Sequence, residues 1–119
     1  MSGIPLLLRA EWLALAIIGV AGYLWMGGAR LWLLPLLLAP DLSAIGYLGG
    51  PRIGAVTYNA VHNLVLGLGL FGIGWTVGSA PLALAGSILV AHVGMDRALG
   101  YGLKLRTGFA DTHLGHIGR

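Results

Sequence analysis

Cysteine is absent from the chain, so neither a disulfide framework nor a thiolate metal site can form. Any bound metal must be held by imidazole, carboxylate, amide or backbone oxygen. Charge is scarce as well: Asp, Glu, Lys and Arg make up 9% of the 119 residues, and only four of these are acids. An ordinary soluble domain carries roughly 25%. With 57% hydrophobic residues and a mean hydropathy of +0.86, this scarcity excludes a water-soluble domain and assigns the chain to a bilayer. Glycine is plentiful, at 21 residues, but follows no three-residue period, which excludes a collagen-like chain and leaves helix packing as its use. The net charge of +3 does not indicate a nucleic-acid partner, because the basic residues gather at the ends of apolar runs.

A hydrocarbon core about 30 Å thick asks for about 20 residues per helix, so a chain of this length holds four or five spans and no second domain. The expected fold is all-α: a four-transmembrane-helix bundle forming a single integral membrane domain over residues 1–119, with spans at about 10–26, 31–48, 53–77 and 80–103 and a polar tail over 104–119. The first run lacks a small-residue cleavage site and is read as a retained helix. Pro35 and Pro40 fall within the second, so that helix is expected to be kinked or broken at Pro40-Asp41, with Asp41 able to cap the segment that follows. Gly67, Gly69, Gly72 and Gly74 in the third span permit close backbone approach and offer a glycine-rich face for a homo-oligomer or a larger membrane complex. Gly78 marks a tight turn, followed by Ser79 as N-cap and Pro81 in the first turn of the fourth span. Four spans put both termini and the middle loop on one side, where Arg9, Arg52, Lys104, Arg106 and Arg119 stand against Arg30 alone. The positive-inside rule then predicts cytoplasmic termini.

Ionisable groups in hydrocarbon cost at least about 2.5 kcal/mol each on insertion scales, so those within spans face the protein interior. Asn59, His62 and Asn63 recur at helical spacing in the third span, and His92 and Asp96 stand at i and i+4 in the fourth. His62 lies 16 residues before Gly78 and His92 lies 14 after it, which at about 1.5 Å per residue brings them within one turn of the same depth. Asp41 and Glu11 fall on the cytoplasmic halves of spans two and one. All four spans can therefore offer a polar group at similar depth, an arrangement suited to a divalent ion of zinc or iron type held by Asp41, His62, His92 and Asp96. Alternatives stand beside it. Asn59 and Asn63 read as interhelical hydrogen-bond partners, and Arg97 can pair with Asp96 or Asp41 in an ion-pair network that fixes helix register. Trp12, Tyr47, Tyr58 and Tyr101 read as one interfacial aromatic belt, and Trp25, Trp32 and Trp75 as the other. The tail carries His113 and His116 at a spacing seen in metal sites; it reads either as a disordered polar end or as a segment folded back so that His113 approaches Asp41 or Asp96.

Ala39-Pro40-Asp41-Leu42-Ser43, Gly46-Tyr47-Leu48-Gly49-Gly50-Pro51-Arg52 and Tyr58-Asn59-Ala60-Val61-His62 form an ordered series. It continues with Ala91-His92, Asp96-Arg97, Gly100-Tyr101-Gly102-Leu103-Lys104 and Phe109 through Gly115. Over nearly its whole length the chain resembles the bacterial domain-of-unknown-function family 4260, which implies a small integral protein of the bacterial inner membrane and supplies no activity. More distantly, a Pro-Asp, a later lone His and a His-x-x-x-Asp in that order are similar to membrane-bound metal-dependent hydrolases related to zinc phospholipases. The positions here are Asp41, His62, His92 and Asp96. Further histidine ligands of those enzymes would have to come from His113 and His116.

The leading expectation is a metal-binding membrane protein acting as a metal-dependent hydrolase on a membrane lipid or other membrane-proximal substrate, with Glu11 or His113 orienting water or serving as general base. Facing His62 and His92 could instead ligate a b-type haem, or the polar cluster could lock helix register in a structural accessory subunit. An ion pathway ranks lower, because the half of the bundle beyond the two histidines has no ionisable residue.

Overall fold

The computed structural model describes residues 3–100 and 111–116. Helix α1 covers Ile4–Trp25 and α2 Arg30–Leu38. A 3-10 segment, Ala39–Gly49, follows without a gap. Then come α3 (Pro51–Val61), α4 (Leu64–Val77) and α5 (Ala80–Leu99), and a two-residue hairpin of β1 (Asp111–Thr112) and β2 (Gly115–His116). These make four stretches long and apolar enough to cross a membrane: Pro5–Trp25, Arg30–Gly49, Pro51–Val77 and Ala80–Leu99.

The second span changes from α to 3-10 winding after Leu38, next to the proline where a break is expected. Asp41 is not a cap: no side chain closes the start of the 3-10 segment, and Asp41 sits in its first turn. The third span is broken too, which the periodicity does not anticipate. Asn63 is extended (φ −124°, ψ 149°) and separates α3 from α4. Instead of bonding across helices, Asn63 accepts from the Leu66 N–H through Oδ1 at 2.8 Å and donates through Nδ2 to the carbonyls of Asn59 and Ala60 at 2.9 and 3.0 Å. One amide thus caps the start of α4 and satisfies carbonyls freed at the end of α3, where hydrocarbon offers no substitute.

The turn into α5 follows expectation. Gly78 takes the left-handed conformation (φ +73°), and the Ser79 side chain accepts from the Leu82 N–H. At its far end α5 stops at Leu99, short of the expected 103, because Gly100 is left-handed (φ +95°) and closes the last turn. Lys104, Arg106, Arg119 and Tyr101 lie outside the described residues.

Helix α5 is the core of the bundle. A continuous run from Gly86 to Gly94 is buried, with α1 against one side and α4 against another, while α3 packs on the 3-10 segment. Large apolar side chains on the other helices, such as Ile17, Leu34 and Val65, face outward. Small residues let the backbones meet: a Cβ on Gly86 would run into the main chain of Phe71 and Gly67 on α4, and one on Gly94 into that of Trp12 and Ala16 on α1. The glycines of α4 divide by face. Gly67 and Gly74 are buried against α5, whereas Gly69 and Gly72 are exposed with nothing within 4 Å of an added Cβ.

The hairpin pairs Asp111 with His116 and Thr112 with Gly115. Leu114 at its turn joins Pro5, Leu8, Arg9, Trp12, Arg97 and Gly100 around one cavity, so this part of the tail lies near the start of α1 and the end of α5.

Gly86→Val should therefore lower the melting temperature in detergent, with a loss of about 1–3 kcal/mol or more from overpacking. Gly72→Ala should be neutral or stabilising by up to about 1 kcal/mol, because alanine is the better helix former. Circular-dichroism melts check the contrast; equal losses would contradict this packing.

Candidate metal centre

Two helix breaks aim the site. In the second span, Leu37 would pair in a 3-10 ladder with the N–H of residue 40, which proline lacks. Its carbonyl takes the Nδ1–H of His92 instead, at 2.6 Å. In the third span, His62 is the residue at which α3 ends, and its Nδ1 lies 2.8 Å from the Tyr58 carbonyl. Its own carbonyl accepts from the Arg97 guanidinium at 3.3 Å. Ser43, held by donation to the Pro40 carbonyl, also stands 3.4 Å from His62 Nδ1. The Tyr58 ring stacks on the His62 imidazole with centroids 3.6 Å apart and 5° between planes, which fixes the plane of the histidine.

A carbonyl oxygen can only accept, so each Nδ1 must carry the proton, and in a neutral imidazole the lone pair is then on Nε2. Both Nε2 atoms point into one pocket. They are 3.0 Å apart. Asp41 Oδ1 is 3.1 Å from each, and Asp96 Oδ2 is 3.3 Å from His92 Nε2 and 4.0 Å from His62 Nε2. All four atoms lie within 4.8 Å of one another. With both rings neutral, four acceptors face inward and repel; either a cation among them or protons on the Nε2 atoms, donated to Asp41 and Asp96, relieves that repulsion. A tetrahedral ion with bonds of about 2.0 Å sets its ligand atoms roughly 3.3 Å apart, which is near most of these separations. The donor set, two imidazoles and two carboxylates, suits zinc or iron type ions.

The pocket is closed on one side and open on the other. The His92 side chain is 0% exposed and that of His62 4%, Asp96 stands at 14%, and Asp41 at 53%. Tyr58 Oη lies 3.4 Å from Asp96 Oδ2 and donates to it.

This geometry brings together the four residues expected as ligands, from the second, third and fourth spans. It does not bring in Glu11, which is exposed on α1, or His113, which is exposed in the hairpin turn. Among the described residues no ion pair joins Arg97 to Asp96 or Asp41; it bonds the His62 carbonyl and lies over the Trp12 ring at 5.0 Å.

A family model described as Domain of unknown function (DUF4260) matches residues 5–117. The chain belongs to this family. No curated protein and no solved structure matches it. Within DUF4260 this chain therefore carries a buried His/Asp group that could hold a metal ion.

Sequence reasoning missed Tyr58, assigned there to an interfacial belt, and Ser43. A signal for Tyr58 existed in its i, i+4 spacing to His62. Nothing pointed to the Leu37 carbonyl except the proline three residues on.

Because Asn63 ends α3 at His62, Asn63→Ala should destabilise the protein by about 1–2 kcal/mol. Asn63→Ser keeps a capping acceptor and should lose less. Detergent melts of both variants check this, and equal stability of Asn63→Ala and the parent would refute the capping role.

Proposed function

We propose that this member of DUF4260 binds one divalent ion of zinc or iron type through Asp41, His62, His92 and Asp96, and that the centre serves hydrolysis of a membrane-proximal substrate. The observation that carries the reading is the meeting of four lone-pair donors whose histidines are both committed, through Nδ1, to backbone carbonyls. Outer hydrogen bonds of this kind fix the tautomer and ring orientation of metal-ligating histidines. A bound ion supplies Lewis acidity toward a carbonyl or phosphoryl oxygen. Asp41, the most exposed of the four, is the ligand that water or substrate would displace or approach, which a catalytic centre with three retained protein ligands requires. Tyr58 holds Asp96 in place through its hydroxyl. A haem fits the same histidines less well: its ring would have to pass between nitrogens 3.0 Å apart and through the space of the Asp41 and Asp96 oxygens. On this reading the protein sits in the bacterial inner membrane with cytoplasmic termini, supported by Arg9 and Arg52 on one side against Arg30 on the other.

Elemental analysis of detergent-purified protein should give about one metal ion per chain, lost in the His62→Ala His92→Ala double variant and retained in Glu11→Gln and His113→Ala. A metal content well below stoichiometric that the double variant leaves unchanged would dispose of the centre. Tyr58→Phe should weaken metal affinity by about 10- to 100-fold, the usual effect of losing an outer hydrogen bond to a ligand.

A further inference from the structure

An apolar cavity of about 540 Å³ lies between the end of α1, α2, the start of the 3-10 segment and the first half of α5. Its volume falls within the range of small-molecule pockets, about 300–1,000 Å³. Leu36, Pro40, Val61, Leu84, Ile88 and Leu89 form much of its wall. Tyr23 alone among the lining residues carries a polar side-chain atom, and its hydroxyl is taken by the Ala29 carbonyl at 2.9 Å. An occupant thus meets hydrocarbon and no free side-chain donor. Water has too few partners to fill such a space.

The position of the cavity gives it meaning. Pro40 directly precedes Asp41, Val61 directly precedes His62, and Ile88 and Leu89 stand one turn before His92. Leu36 adjoins Leu37, whose carbonyl holds the His92 ring. From this end the cavity runs back from Leu89 past Leu84 to Pro81 at the start of α5, about 12 Å along the helix axis at 1.5 Å per residue. We infer that it holds one acyl chain of a bilayer lipid, with the head of that lipid at the four donors. The substrate class of the centre is then an acyl-chain-bearing membrane lipid. The assignment as substrate rests on the proposed metal centre; the seating of the chain does not.

The test uses the full chain in phosphatidylglycerol vesicles doped with a phosphatidylcholine that carries a diazirine in its acyl chain. After irradiation, label should be found on Ile88 and Leu89, which are buried from the bulk bilayer, as well as on outward residues such as Val65 and Ile73. Ala85→Phe and, independently, Ala39→Phe narrow the cavity and should cut label at Ile88 and Leu89 several-fold, with label at Val65 and metal content unchanged. Label confined to outward residues, or undiminished at Ile88 and Leu89 in both variants, overturns the inference, as does cross-linking of a second copy of the chain through these positions. In the His62→Ala His92→Ala variant the label at Ile88 and Leu89 should persist while metal is lost. A parent protein that takes the label there but binds no metal would retain the chain pocket and overturn its assignment as the substrate site of a metal centre.

Discussion

Within hydrocarbon, a backbone carbonyl released from its helix must find a donor inside the protein, and the placement of His92 follows from that requirement. Pro40 withholds an N–H, Leu37 is left with an open carbonyl, and His92 supplies the missing proton from α5. At the second break the freed carbonyls of Asn59 and Ala60 go to Asn63 and that of His62 goes to Arg97, while the Tyr58 carbonyl keeps its helical bond from the His62 N–H at 3.0 Å and accepts the His62 ring as well. At the first break, repair of the interrupted helix and orientation of an imidazole are the same hydrogen bond; at the second, the His62 ring adds a bond to a carbonyl that its own N–H already holds. The rings are left with their remaining nitrogens toward each other because the backbone has claimed the first ones.

The bundle around the site obeys a simpler rule. With apolar side chains as comfortable in lipid as in protein, helices associate where their backbones can approach closely, and α5 provides that with Gly86 toward α4 and Gly94 toward α1. This close packing holds His92 and Asp96 in fixed register against α1 and α4. The half of the molecule built from the second span and α3 is a 3-10 segment lying on a short helix, and it contributes the most exposed carboxylate of the cluster, Asp41.

Much of this was legible from sequence, for identifiable reasons. Four apolar runs of bilayer length and the Gly78-Ser79 turn fix the spans, and counting from that turn brings His62 and His92 to one depth. The count survives the break in the third span because the break falls at His62 itself, after fourteen regular residues of α4. The break was not legible: Asn63 sits in an apolar stretch at helical spacing from Asn59, and nothing local says that its amide would serve two helix ends instead of a neighbouring helix. Tyr58 looks like any interfacial tyrosine until the third dimension puts its ring on His62. Which α4 glycines touch a partner was equally hidden, since all four occur in the same composition and only the direction of each Cα separates Gly67 and Gly74 from Gly69 and Gly72.

The chain order of the four donors has a consequence for biosynthesis. Asp41 and His62 emerge first and the other two, one turn apart on α5, only later. A nascent chain halted before α5 can present no more than one imidazole and one carboxylate, a pair too poor to retain a divalent ion against cellular competitors. On the proposed metal reading, loading waits for α5, and a captured ion would tie that late helix to the segments that carry Asp41 and His62.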